Sequence, residues 1–150
     1  MKTFDSSFFD LADTFFGKIV FLTDLLDRYA FLAIEQLRLG ARLRVEKRID
    51  PKSLHARVPS LLLQPLVENA VRHGIAPNIE GGTIQLEIST TSTTLHIRVA
   101  DDGMGATDIE EHVGLGTTRA RLRQRYGDHA LMEVDTRDGS GFQVSIRIPL

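Results

Sequence analysis

The sequence predicts an α/β protein, a two-layer sandwich in which helices cover one face of a sheet. Apolar residues recur at the two-residue spacing of strands in five segments, and at helical spacing in the stretches that separate several of them. At 150 residues the chain is long enough for one domain with a sizeable core and too short for a second full domain.

The first part of the chain is rich in phenylalanine. Seven of the eight phenylalanines lie at or before position 31, interrupted by charges such as Asp10, Asp13 and Lys18. These charges argue against a membrane span, which needs about 20 predominantly apolar residues, and no signal-peptide pattern follows Lys2. We predict an amphipathic helix whose aromatic face packs on its own domain, or else forms a homodimer surface or part of a helical hairpin.

A connecting helix, a strand and a second helix follow. Apolar residues from Leu25 to Leu37 recur at helical spacing, and Gly40 ends this helix. We therefore divide the chain into a helical segment, residues 1–40, and a domain, residues 41–150. Alternation over residues 43–49 predicts a strand that Asp50 and Pro51 end. A helix is predicted over about residues 60–73, with Pro65 in its first turns, where a missing amide is tolerated.

The second half supplies the remaining strands. Residues 84–88 and 95–99 alternate between apolar and polar and are joined by a Ser/Thr-rich turn, which predicts a hairpin. Residues 114–126 predict a helix. Residues 131–136 and 142–148 predict a final pair of strands, and the turn between them contains Gly139 and Gly141, which we expect to shape the hairpin.

Composition excludes several classes of partner and site. The net charge is only −2, which does not favour nucleic acid or an anionic membrane as a partner. The chain has no cysteine, so it can form neither a disulfide nor a thiolate metal site. This composition is typical of a reducing compartment, and we expect a cytoplasmic location.

Two segments about thirty residues apart carry the chemistry. Residues 66–74 read LVENAVRHG, a helix followed by a glycine, and residues 99–105 read VADDGMG, a strand that runs into an acidic, glycine-rich bend. On a helix, Asn69 projects to the same side as Arg72 and His73, because residues three and four apart are neighbours. That side of the helix could hold a metal ion and phosphates.

These segments resemble the N box and the first glycine box of the ATPase superfamily shared by gyrase, the heat-shock chaperone, histidine kinases and the mismatch-repair protein MutL. The stretches FLAIEQ (31–36), VPSLLLQPLVEN (58–69) and IRIPL (146–150) resemble sensor histidine kinases of the LytS type. The resemblance runs from about Thr23 to the C-terminus. It implies a Bergerat-type ATP-binding fold with a mixed, mostly antiparallel sheet, and it implies ATP and Mg²⁺ as ligands.

The resemblance also assigns roles to individual residues. Asn69 would bind magnesium through its side-chain oxygen, and His73 would line the site. Arg72 would neutralise phosphate charge, although Glu68, four residues earlier, could instead pair with it. Asp101 would accept a hydrogen bond from the exocyclic amine of adenine. Glycines at 103 and 105 would let the backbone approach the ring and turn into a lid.

The second glycine box departs from the LytS-type pattern. His112 stands where that pattern has its first glycine, and Thr117 stands where it has an asparagine. The expected phosphate-binding residues of this segment are Gly114, Leu115, Gly116, Thr117 and Arg119. Arginines alternate from this point, at positions 119, 121, 123 and 125. We expect most of them to be solvated surface and place only Arg119 near the site.

The resemblance points to transfer of the ATP γ-phosphoryl group to a histidine on another polypeptide. Related hydrolases and serine-directed anti-sigma kinases carry a glutamate one turn before the N-box asparagine, and Pro65 occupies that position here. The acceptor motif of LytS-type kinases is absent, so the expected partners are a histidine-containing dimerisation domain in trans and, through it, a response regulator. Two alternatives remain: a serine-directed anti-sigma-type kinase, and a non-catalytic module that binds nucleotide or dimerises.

Overall fold

The computed structural model describes residues 6–105, 113–136 and 141–150, with side chains from Phe21 onward except that of Val113. The elements in order are helix α1 (Ser6–Leu39), strand β1 (Leu43–Ile49), helix α2 (Gln64–Asn69) with a π-helical continuation (Ala70–Ile75), strands β2 (Gly82–Thr90) and β3 (Thr94–Asp101), helix α3 (Val113–Tyr126), and strands β4 (Leu131–Thr136) and β5 (Phe142–Pro149). Short 3₁₀ turns connect some of them. Within the described residues, no helix combines the length and apolar character needed to cross a bilayer.

The five strands form one sheet in the order β1-β2-β3-β5-β4. Strands β1 and β2 run parallel, and the other neighbours are antiparallel, which confirms the mixed, mostly antiparallel sheet. The register places Asp101 between Ile84 of β2 and Phe142 of β5. The last residue of β3 is therefore held on both sides by neighbouring strands.

The two faces of the sheet differ in polarity, as the alternating sequence predicts. Inward residues of the central strands, such as Ile84, Leu86 and Ile97, are at most 1% exposed and pack with helix residues in one apolar core. On the opposite face, Arg98 donates to Gln143 Oε1 at 2.8 Å and to Glu87 Oε2 at 3.2 Å. A polar network thus covers the face without helices.

Helix α1 is continuous from Ser6 to Leu39, so the Phe-rich segment and the connecting helix are one element. Gly40 ends it with a φ of +60°, a left-handed conformation that glycine adopts readily. Phe21 is fully buried and Phe31 packs against the core, so these two rings contact their own domain. The other N-terminal phenylalanine side chains lie outside the described set.

Helix α2 differs from its sequence prediction at both ends. It begins at Gln64 rather than near residue 60, because Leu61 has a left-handed φ of +56° that interrupts a helix. Pro65 lies in its first turn, as predicted. The helix does not end before Gly74: it continues to Ile75 in a wider π-helical turn, in which the Ala76 N–H donates to the Val71 carbonyl at 2.8 Å. Such turns occur frequently at functional sites.

Candidate active site

One cavity of about 370 Å³ contains three of the site residues that the N-box segment predicts. Its lining comprises Pro65, Glu68, Asn69, Arg72, His73, Gly114 and Leu115. The first five belong to α2 and its π-helical continuation, and the last two belong to the start of α3. The structure therefore places the N-box helix opposite part of the second glycine box.

Asn69 is buried in the wall of this cavity, with 8% of its surface exposed. Among the described residues its side chain makes no hydrogen bond, so Asn69 does not serve to cap or bond within its own helix. A mid-helix asparagine without a local partner costs helix stability and leaves its oxygen available to a cation.

The few protein oxygens around Asn69 suit a cation whose ligands are mostly water and substrate oxygens. In the described part of the chain, no group of three or more carboxylate or histidine side chains converges as a metal cage. Magnesium fits such a site, because it commonly takes one or two protein oxygens and fills the remaining positions with water and substrate phosphates.

Arg72 and Glu68 do not pair, contrary to the alternative raised by their spacing. Glu68 Oε1 instead accepts hydrogen bonds from Arg28 Nη1 at 3.2 Å and from Gln64 Nε2 at 2.8 Å. Arg72 is exposed at the cavity and forms no ion pair with any described residue. Its charge therefore remains available to an anion in the cavity.

Asp101 lies at the end of β3 with only 7% of its surface exposed. Its Oδ1 accepts a hydrogen bond from the Gly103 N–H at 3.0 Å, whereas its Oδ2 is buried and has no hydrogen-bond partner in the described ranges. Burial raises the pKa of Asp101 to about 6, and the Gly103 N–H opposes that rise only in part. The structure thus keeps one buried carboxylate oxygen unsatisfied.

Two glycines bring the N-box helix against this carboxylate. A β-carbon on Gly74 would lie 2.3 Å from Asp101 Oδ1, and a β-carbon on Gly103 would lie 2.1 Å from the Gly74 carbonyl oxygen. Both distances are far shorter than a van der Waals contact. Gly74 is therefore required for close approach rather than as a helix stop, and it links the two sequence motifs in space.

Asp102 follows Asp101, the candidate adenine-binding residue, but has a different role. Its Oδ1 accepts from the Thr83 N–H at 2.5 Å, and its own N–H donates to the Thr83 carbonyl at 3.2 Å. These bonds fasten the end of β3 to the start of β2. The two consecutive aspartates thus have different roles: Asp101 keeps an unsatisfied oxygen at the site, and Asp102 is hydrogen-bonded to the neighbouring strand.

The structure brings together only part of the predicted site. Asp101 lines a different cavity, of about 390 Å³, that also includes Arg98 and Gln143, and this cavity shares no lining residue with the Asn69 cavity. The side chain of Asp101 is in contact with Gly74 of the N-box segment. Gly105 has a left-handed φ of +71°, as a turning residue needs. The cavity lining described around Asn69 does not include Gly116, Thr117 or Arg119. His112 lies outside the described residues.

The arginine series of α3 is not uniformly solvated. Arg123 and Arg125 are exposed, as expected, but Arg121 is half-buried and donates to the Ser60 carbonyl at 2.5 Å. Arg121 is therefore the exception to the expectation that most of these arginines are solvated surface. This bond connects α3 to the loop before α2. The same two helices provide the walls of the Asn69 cavity.

Sequence reasoning missed a set of residues that support the site. Gly74 was expected to end a helix and Glu68 was considered as a partner of Arg72, yet Gly74 is in close contact with Asp101 and Glu68 lines the Asn69 cavity. Asp24 and Arg28 contact the N-box region from α1. The sequence did contain a signal for these contacts, because two charged residues interrupt the otherwise apolar face of α1. Such charges are rarely buried without partners.

Comparison with known proteins agrees with this geometry. Residues 56–150 match the family of histidine kinase-, DNA gyrase B- and HSP90-like ATPases. The chain is 28% identical over 136 residues to the sensor histidine kinase BtsS of Escherichia coli K12, covering 89% of this chain and 24% of BtsS. It is 37% identical over 132 residues to YwpD of Bacillus subtilis, covering 81% of this chain and 46% of YwpD. The chain thus spans less than half the length of these relatives.

Solved structures of histidine kinases share the fold. The histidine kinase domain of a blue-light activated kinase from Erythrobacter litoralis has a TM-score of 0.63 and 26% identity, over 82% of this chain and 59% of that one. The catalytic domain of the histidine kinase ThkA has a TM-score of 0.65 over 87% of this chain and 94% of that one, but at 15% identity it shows the fold alone. Because the family match covers residues 56–150, the chain belongs to the histidine kinase-, DNA gyrase B- and HSP90-like ATPases, as an ATP-binding domain of the sensor histidine kinase type.

Proposed function

We propose that this chain binds Mg-ATP and transfers the γ-phosphoryl group to a histidine on a dimerisation domain supplied in trans, from which a response regulator would be phosphorylated. A homodimer through the Phe-rich N-terminal segment is part of this proposal. A cytoplasmic location follows from the class of reaction, since ATP is a cytoplasmic substrate.

The unsatisfied oxygen of Asp101 carries the proposal. A buried acceptor without a partner costs free energy, and the exocyclic amine of adenine would satisfy it. Guanine presents a carbonyl at the corresponding edge and would be repelled. The close packing of Gly74 and Gly103 around the carboxylate fixes the position of this acceptor. Recognition of adenine rather than guanine is therefore expected.

The Asn69 cavity would hold the phosphates. Asn69 would bind Mg²⁺ through its side-chain oxygen, and bound magnesium would supply charge neutralisation for the triphosphate. Arg72 would add a second positive charge, while His73 and the start of α3 at Gly114 and Leu115 would line the phosphate path. Phosphoryl transfer depends mainly on such positioning and charge neutralisation, with little covalent chemistry by the protein.

The choice of histidine over water or serine as acceptor is supported by Pro65, which lines the cavity at the position where the related hydrolases carry a glutamate. A neutral imidazole can attack without a base, whereas a hydroxyl benefits from one. Glu68 also lines the cavity, but its Oε1 already accepts bonds from Arg28 and Gln64. The serine-directed alternative would yield a hydroxyl-linked, acid-stable phosphate.

One observation supports the non-catalytic alternative. Three predicted residues of the altered second glycine box, Gly116, Thr117 and Arg119, do not line the Asn69 cavity. If these residues contribute nothing to phosphate binding, nucleotide affinity will be weak.

Titration calorimetry tests the proposed function. We expect saturable binding of Mg-ATP, binding of Mg-GTP at least about tenfold weaker, and a loss of about 10- to 100-fold in Mg-ATP affinity on Asp101→Ala, because charge-assisted hydrogen bonds contribute about 1.5 to 3 kcal/mol. Equal affinity for ATP and GTP would refute the role of Asp101. Absence of binding at millimolar nucleotide would leave only the non-catalytic interaction module.

A further inference from the structure

Two charged side chains of α1 are buried against the N-box region. Asp24 is 2% exposed and Arg28 is 9% exposed, although charged residues are rarely buried to this extent. The two lie one helical turn apart, with Arg28 Nε 3.9 Å from Asp24 Oδ1. Because buried ion pairs seldom stabilise a fold more than apolar residues would, their presence here calls for a reason beyond stability.

Asp24 connects α1 to the beginning of α2. Its Oδ2 accepts a hydrogen bond from the Leu63 N–H at 2.9 Å, immediately before the first residue of the helix. This donor precedes the helix and has no carbonyl partner one turn earlier within it. The carboxylate therefore fixes the position at which the N-box helix starts, using a side chain that lies 39 residues earlier in the chain.

Arg28 connects α1 to the wall of the Asn69 cavity. Its Nη1 donates to Glu68 Oε1 at 3.2 Å, and its guanidinium lies over the Phe31 ring at 5.7 Å from the centroid. Glu68 immediately precedes Asn69 and lines the same cavity. A displacement of α1 would therefore act on the residue next to the proposed magnesium ligand.

We infer that Asp24 and Arg28 transmit the position of α1 to the nucleotide cavity, and that Arg28 is a positioning residue for Mg-ATP that acts through Glu68. This inference rests on the proposed nucleotide function. The side chain of Arg28 does not line the cavity, so its effect on nucleotide binding must pass through its contacts with Glu68, which does line the cavity, and with Asp24, which holds the Leu63 N–H.

The experiment compares Mg-ATP affinity and amide hydrogen exchange in wild type, Arg28→Gln, Glu68→Gln and the double variant. We expect Arg28→Gln to weaken Mg-ATP binding by about tenfold, within the usual range of coupling between two sites. The double variant should bind no more weakly than the weaker single variant, because both substitutions break the same contact. Arg28→Lys, which keeps the charge, should recover part of the affinity.

Arg38→Gln is the matched control. Arg38 also lies on α1 and also binds a glutamate, Glu35, but Arg38 is exposed and neither residue lines the cavity. We expect Arg38→Gln to leave Mg-ATP affinity unchanged. Equal affinities for Arg28→Gln and Arg38→Gln, or additive losses in the double variant, would overturn the inference.

Hydrogen exchange separates this inference from the proposed function. Without any nucleotide, Arg28→Gln should increase exchange at the amides of α2 and its π-helical continuation by more than Arg38→Gln does. If wild type fails to bind Mg-ATP, the proposed function is lost, and the exchange comparison then decides whether α1 controls the N-box helix. Unchanged exchange in these amides would refute that control.

Discussion

Asp101 is subject to two opposing requirements, one from folding and one from binding. Folding favours a satisfied or neutral group at a position that is 7% exposed. Binding of an adenine amine favours an ionised acceptor with a free oxygen. The structure meets the second requirement, because Asp101 Oδ2 has no hydrogen-bond partner among the described residues and a pKa raised to about 6 by burial still leaves the carboxyl group ionised at neutral pH. Stability is thereby reduced at neutral pH in favour of a binding-competent oxygen.

The Asp101→Asn variant should therefore stabilise the nucleotide-free protein at pH 7.5. A pKa raised from 3.8 to about 6 means that the folded state binds the proton more tightly than the unfolded state. Wild-type stability consequently falls as pH rises through that window, by at most about 3 kcal/mol. The stability difference between the two proteins should be smallest below pH 3.8, grow up to about pH 6 and then level off. Urea unfolding across pH measures it, and a difference independent of pH would contradict this account.

The Asn69→Ala and Asp101→Ala variants should separate the two ends of the nucleotide. Asp101 is expected to contact the base, so Asp101→Ala should weaken binding of adenosine and of Mg-ATP alike. Asn69 is expected to contact only the metal, so Asn69→Ala should weaken Mg-ATP binding by about tenfold or more while adenosine binding stays unchanged. Calorimetry with both ligands measures these affinities. Loss of adenosine binding in Asn69→Ala would show that Asn69 supports the fold rather than the metal.

At the level of elements, the end of α2 departs most from the helix that its sequence predicts. The spacing of Asn69, Arg72 and His73 predicts one helical face, and all three do line one cavity. The π-helical turn that carries the last two, however, has no signature in the sequence. Within this turn Gly74 packs against Asp101, and periodicity cannot predict such a tertiary contact because it describes a single element.

Gly74→Ala tests whether that contact matters for binding. In an ordinary helix interior, alanine is more stable than glycine by about 1 kcal/mol. Here the new β-carbon would lie 2.3 Å from Asp101 Oδ1, so the carboxylate would have to rotate away. We expect a loss of at least about tenfold in Mg-ATP affinity with little gain or loss of stability, because the moving group is a side chain rather than backbone.

Gly127→Ala is the control for this substitution. Gly127 has a φ of +58° and open space around it, so alanine there costs stability through its backbone conformation without touching the site. We expect Gly127→Ala to lower the free energy of unfolding by about 1 kcal/mol and to leave nucleotide affinity unchanged. Chemical unfolding and calorimetry on the same preparations distinguish the two variants. Full nucleotide affinity in Gly74→Ala would show that Asp101 does not need its present position.

The strands were the most predictable elements, and the supports of the site were the least. Strand β1 has the bounds that alternation predicts, because one buried face imposes a two-residue period on the sequence. Asn69 and Asp101 could be predicted as site residues from local sequence, because each is a polar residue that contributes little to the stability of its own helix or strand. The bonds from Asp24 and Arg28 could not be predicted, since they join residues about 40 positions apart.

At the scale of the whole molecule, the histidines lie at separate positions and do not gather at one site. His55, His73 and His129 are exposed and His96 is half-buried on β3, while His112 lies outside the described residues. His73 lines the nucleotide cavity itself, where it would contact phosphate rather than receive it. These positions do not single out any described histidine as the phosphate acceptor, and we keep the expectation that the acceptor lies on another polypeptide.

We accordingly expect γ-labelled ATP to leave the isolated chain unlabelled and to label a LytS-type dimerisation domain supplied in trans. The product should be lost in acid and retained in alkali, as a phosphorus–nitrogen bond to imidazole requires. Asn69→Ala should reduce the labelling rate and Arg38→Gln should not, because only the first alters the cavity. Acid-stable label on the partner would favour the serine-directed alternative, and stable label on the chain alone would contradict transfer in trans.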